Sequence, residues 1–142
     1  MTETDEDFTR PSAFLALQPF AQSYGVKVIE ERPGVVVVEA PYIEALSTLP
    51  DLFPTSTVGA VGDIAALCAC LSLLPKGWAC ATLDFTVKMT GQARGEKLIA
   101  RGKVLQAGKT VSVGSADVYV VNNGQEQLCG AVLATGRNFL IK

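Results

Sequence analysis

Thr55-Ser56-Thr57-Val58-Gly59-Ala60-Val61-Gly62-Asp63-Ile64-Ala65-Ala66-Leu67-Cys68-Ala69-Cys70-Leu71, followed by Ser72-Leu73-Leu74, is the stretch that decides the fold. From Val58 to Leu74 the run is apolar apart from Asp63 and Ser72 and holds no proline. It is too long for a strand and reads as a helix buried nearly all round. Thr55, Ser56 and Thr57 open it, and a hydroxyl from one of them is expected to cap the first turn. Gly59, Ala60, Gly62, Ala65, Ala66 and Ala69 keep the helix thin, so a sheet can approach closely. The exception is Asp63. An unpaired carboxylate in such a setting loses several kcal/mol of hydration, and carboxylates perturbed in this way are frequent functional sites. The plainer alternative is an Asp hydrogen-bonded to a neighbouring segment for packing.

On the C-terminal side of the run the period changes. Ala81, Leu83, Phe85, Val87 and Met89 alternate with Thr82, Asp84, Thr86, Lys88 and Thr90, which predicts a strand with one core face and one polar face. Lys97 to Gln106 and Thr110 to Val121 read as two further strands around the Ala107-Gly108-Lys109 turn. Gln125 to Gly136 follows the Asn122-Asn123-Gly124 turn as a fourth strand of an antiparallel meander. On the N-terminal side, Val26 to Ile29 and Val35 to Ala40 form a hairpin around Pro33-Gly34. Positions 41–53 lack a clean period and read as a loop with one helical turn. Pro11 to Tyr24 predicts a short amphipathic helix, interrupted near Pro19 and packed on the outside. The order hairpin, buried helix, four long strands calls for an α+β fold, a curved antiparallel β-sheet wrapped around a long central helix.

Composition narrows the chemistry. A chain of 142 residues with 49% hydrophobic content makes one domain, large enough to bury about two-thirds of its unfolded surface. Residues 1–10 read as an acidic mobile leader and 11–142 as the domain. The leader lacks the basic-then-apolar pattern of a secretion signal, so the expected location is cytoplasmic. The apolar run falls short of a membrane span and carries a charge, so no membrane partner is expected. The sequence has no histidine, which excludes imidazole bases, Ser-His-Asp and Cys-His catalysis and His-ligated metals. Cys68 and Cys70 would point roughly 200° apart on a helix, unsuited to a zinc pair. With Cys80 and Cys129 they read as small buried residues of a reducing compartment, and no metal is expected.

Beyond Thr86 basic residues outnumber the acidic Glu96, Asp117 and Glu126, enough to attract a phosphate-bearing ligand. Lys88, Arg94 and Lys109 are the candidates for phosphate contacts, against the bland reading of solvated surface charges. The basic residues are neither dense nor interleaved with aromatics, so no nucleic-acid partner is expected.

This pattern resembles the hotdog fold, and locally the phenylacetate thioesterase-like branch of the acyl-CoA thioesterases. That family places an Asp on the central helix after a His-Gly-Gly motif, and Asp63, followed by Ala65-Ala66, stands at the acidic position. The stretch from Thr82 to Ala93 is similar to the family's next strand, and Arg101 to Lys109 to the hairpin after it; the resemblance runs from about Val26 to Thr135. Two motifs depart from the family. Its His-Gly-Gly falls on Pro54-Thr55-Ser56, and its Arg-Pro on Gly91-Gln92.

The resemblance implies an acyl-CoA substrate, with CoA as part of the substrate and no other cofactor, and self-association as a homodimer or tetramer. It also implies that backbone N–H groups at the helix start polarise the thioester carbonyl. Ser56 and Thr57 would supply them, with Thr55 beside the substrate, and Asp63 would activate water or attack directly. Ser56 and Asp63 lie about 10 Å apart along a helix, so the site has to be shared between two subunits. Pro54 has no N–H to offer, which leaves open a non-catalytic hotdog protein that binds acyl thioesters or serves as a structural dimer. A hotdog dehydratase is disfavoured by the missing histidine.

Overall fold

The computed structural model describes residues 10–47 and 49–141. The leader expected at 1–10 lies outside the described residues except for Arg10. Helices α1 (Pro11–Ala16) and α2 (Pro19–Ser23) come first, then strands β1 (Lys27–Arg32) and β2 (Val35–Pro41), a 3₁₀ turn at Glu44–Leu46 and the long helix α3 (Thr55–Leu71). Strands β3 (Trp78–Met89), β4 (Lys97–Gln106), β5 (Val111–Asn122) and β6 (Gln125–Leu140) complete the chain. All six strands form one antiparallel sheet in the order β1-β2-β4-β5-β6-β3. The sheet curves around α3, as the buried-helix reading requires.

The packing follows from the small residues. Within α3 only Thr55, Ser56 and Asp63 escape burial, and the helix faces Val36, Val38, Leu98, Ala100, Val118, Val120, Val132 and Ala134. Glycines on the sheet let it come this close. A Cβ on Gly114 would stand 2.7 Å from the Ala66 carbonyl oxygen, and one on Gly102 would collide with the Ala65 carbonyl.

Four expectations need correction. No hydroxyl caps α3: the N-cap is Pro54, without a side-chain cap bond, and the Pro54 carbonyl instead accepts from the N–H of Thr57 (3.0 Å) and of Val58 (3.1 Å). The helix stops at Leu71, where Ser72 Oγ donates to the Ala69 carbonyl and accepts from Gly34 N–H. The N-terminal helices do not lie on the outside alone, since Leu15 and Ala21 join the main core. The alternation along β3 is broken as well. Thr82 pairs with Gly136 and Asp84 with Thr135, so Leu83 is a bulge residue. A bulge inverts which side chains face the core. Cys80 and Thr82 therefore face α3 before it and Phe85 and Val87 after it, while Ala81, expected on the core face, is exposed.

Candidate active site

Asp63 lies about midway along α3, on the side that looks towards β3. The bulge at Leu83 turns Thr82 inward, and its hydroxyl donates to the Asp63 carboxylate, 3.0 Å from each oxygen. Beside them opens a cleft of about 260 Å³. One wall is α3, from Asp63 and Ile64 through Leu67 and Cys68 to Leu71; the other comes from α1 and α2, with Cys80 and Thr82 closing the β3 side. No cation lines it. Burial raises the Asp63 pKa and the Thr82 hydrogen bond offsets part of the rise, so that it moves from 3.8 to about 6. A carboxylate poised there can accept a proton near neutral pH.

The cysteines, of which Cys68 and Cys80 line the cleft, cannot compete for this role. Cys68, Cys70, Cys80 and Cys129 are all buried free thiols. Burial pushes Cys80 to about 12 and Cys70 and Cys129 to about 11, and Cys68 rises too. Thiols this far from the thiolate form are inert as nucleophiles.

The remaining candidates separate into two groups. At the start of α3, Thr55 and Ser56 are exposed, and among the described residues their N–H groups meet no acceptor. Thr57 differs, because its N–H is taken by Pro54 and its buried side chain borders a small recess beside Tyr42 and Phe53. Arg94 is near this end and donates from Nη1 to the Pro50 carbonyl at 2.9 Å, which pins the loop leading into α3. Lys88, paired with Ala131 near the far end of β3, is exposed on the sheet face turned away from α3. Lys109 is at the opposite end of the sheet, next to Thr110, whose carbonyl accepts from Asn138 N–H; Asn138 in turn pairs with Cys80 at the start of β3. Within one subunit the three basic candidates do not converge.

Sequence reasoning missed Thr82 and the α1–α2 wall. The strict alternation of β3 gave no sign of a bulge, and nothing local in Phe14, Leu15, Gln18 or Ala21 announces a cleft. Thr82→Val removes the one interaction that lowers the Asp63 pKa. NMR titration of the Asp63 carboxyl should give a midpoint near 6 in the wild type and a higher one in Thr82→Val; an unchanged midpoint would rule out the hydrogen bond as the cause.

An antiparallel sheet curved around a buried α3, with an Asp facing a cleft, defines a hotdog protein. Its similarity to solved structures points to the thioesterases. A thioesterase family protein from Silicibacter pomeroyi superposes with a TM-score of 0.88 at 27% identity, covering 93% of this chain and 97% of that one. A thioesterase from Haemophilus influenzae matches at TM-score 0.78 and 16% identity over 90% and 87% of the two chains. A phenylacetic acid degradation-related protein from Ralstonia eutropha JMP134 gives 0.76 and 18% over 90% and 98%. At these lower identities the likeness is one of fold. No protein-family model matches the sequence, and no curated protein matches it. Among the described residues no helix is long and apolar enough to cross a membrane.

Proposed function

We propose that the protein hydrolyses acyl-CoA thioesters, with the Asp63 carboxylate as general base. The observation that carries this reading is the Asp63 environment, a desolvated carboxylate with a pKa of about 6 opening onto an apolar cleft. Asp63 takes a proton from water as the water oxygen bonds to the thioester carbonyl carbon. The C–S bond then breaks, protonated Asp63 returns its proton to the departing sulfur, and the acid and the CoA thiol are released. The carbonyl oxygen gathers negative charge on the way, and the free N–H groups at a helix start are suited to stabilise it.

Within one subunit those N–H groups lie about 10 Å of helix away from Asp63, which favours a site completed by a second copy. Strand β3 is the natural place for that copy. It is an edge of the sheet, its Leu83 and Phe85 are exposed, and it carries Thr82 beside Asp63. Exposed edges of this length and apolarity pair with another chain. A homodimer, or a tetramer built from two, would bring the N–H groups of Thr55 and Ser56 of one subunit to Asp63 of the other. Lys88 and Arg94, towards that end of the sheet, are the better placed candidates for the CoA phosphates.

Thiol release from a panel of acyl-CoAs tests the reading. We expect turnover whose kcat/KM rises with pH through about 6, because the base acts only when ionised, and which falls on dilution below the dimer range. Pro54 at the N-cap and the side chain of Ser56 favour a second reading, an acyl-thioester binder without turnover. Binding of acyl-CoA with no thiol release across the panel would select it.

A further inference from the structure

We infer that the cleft beside Asp63 is an acyl chamber closed at its far end by Leu71, and that it takes an uncharged apolar acyl group, aryl or straight-chain, of up to about ten carbons. The inference rests on the thioester reading above and names the substrate class of that same site. Three observations carry it. Among the described residues its lining is apolar apart from Asp63, Thr82 and Gln18, and holds no cation. An acyl group with a second carboxylate would meet Asp63 unpaired and be rejected.

The dimensions set the length. The α3 wall from Asp63 to Leu71 spans about 12 Å of helix. Carbon–carbon bonds near 1.5 Å at angles near 111° advance an extended chain by about 1.25 Å per carbon, which allows nine or ten carbons. The volume gives a similar limit. A dry apolar cavity of about 150 Å³ holds benzene, so 260 Å³ holds about ten carbons.

The third observation is what lies behind Leu71. This side chain is 2% exposed and borders both the apolar cleft and a second cavity of about 340 Å³ lined by Glu31, Arg32 and Ser72. Leu71 is thus the wall between an apolar chamber and a charged one, and a chain reaching past it would enter polar surroundings. The opposite wall is α1–α2, where Leu15 and Ala21 face the chamber.

The test measures binding of S-alkyl-CoA thioethers, which cannot be hydrolysed, with tails of two to sixteen carbons, beside hydrolysis of the matching acyl-CoAs. Affinity should rise about threefold to fourfold per methylene and stop rising near ten carbons. Leu71→Ala should move that limit to longer tails, and Ala21→Leu, which narrows the chamber without opening it, should move it to shorter ones. The second variant decides the matter should the first not fold. Affinity independent of tail length, or still climbing at sixteen carbons in the wild type, would overturn the chamber, as would limits unmoved by Ala21→Leu. Length-dependent binding without thiol release would uphold the chamber and overturn hydrolysis. Hydrolysis indifferent to tail length would overturn the chamber and leave hydrolysis standing.

Discussion

Asp63→Asn is expected to abolish thioester hydrolysis while making the protein more stable at alkaline pH. Removing a general base costs on the order of 100-fold to 10,000-fold in rate, so kcat/KM should drop by at least about 100-fold. Stability should move the other way. The folded protein holds the Asp63 proton up to about pH 6, whereas the unfolded chain releases it near 3.8. Between those values the native state binds more protons, so wild-type stability falls as pH rises through the window. Above it the protein carries a partly desolvated charge that Asn lacks, and Asn still accepts the Thr82 hydroxyl.

The full shift corresponds to about 3 kcal/mol, and because Asp63 is only partly buried, solvent screening reduces the expected gain to about 1–2 kcal/mol. At pH 8 that should raise the Tm of the variant by about 3–6 °C, with little difference below pH 4. Thermal melts at pH 4 and pH 8, paired with thiol release, check both halves. An Asn variant that loses stability and keeps its rate would show that Asp63 serves packing, not catalysis.

Gly102→Ala is expected to cost at least about 3 kcal/mol, among the larger effects of a single methyl group. Gly102 sits on β4 directly beneath α3, and its added Cβ would collide with the Ala65 carbonyl, with the Ala66 nitrogen 3.0 Å away. Both neighbours are backbone of a rigid helix, so no rotamer change can relieve the clash, and the helix has to lift from the sheet. Gly124 provides the contrast. A Cβ there meets nothing within 4 Å, and the only obstacle is its φ of +77°, worth about 1 kcal/mol. Urea unfolding of the two variants side by side should separate close packing from turn strain; equal losses would contradict the close approach of α3 to β4.

How much of this could be read in advance depended on the range of the interaction involved. The buried helix followed from the composition of its own stretch, because a run of Val, Ala, Leu and Cys with a single charge can be stable only when enclosed. The strands of the second half followed from local alternation and turn residues, with β6 reaching Leu140 rather than Gly136. The singular position of Asp63 was legible for the same reason: one carboxylate among apolar neighbours stands out without any knowledge of its partner.

Its partner was decided by tertiary structure. Thr82 reaches Asp63 only because the register between β3 and β6 slips by one residue at Leu83, and register is set by two strands together. The capping of α3 by the Pro54 carbonyl depends on how the preceding loop arrives, and Arg94 holds that loop from forty-four residues away in the chain. The cleft belongs to the same category. Its walls come from α1, α2, α3 and β3, and no one of these sequences contains it. The sequence by itself determined that a helix must be buried and that one carboxylate must be accommodated with it, since hydrophobicity and charge are properties of each residue. The tertiary structure alone decided what that carboxylate touches and how large a space opens beside it, since contacts and cavities exist only between segments.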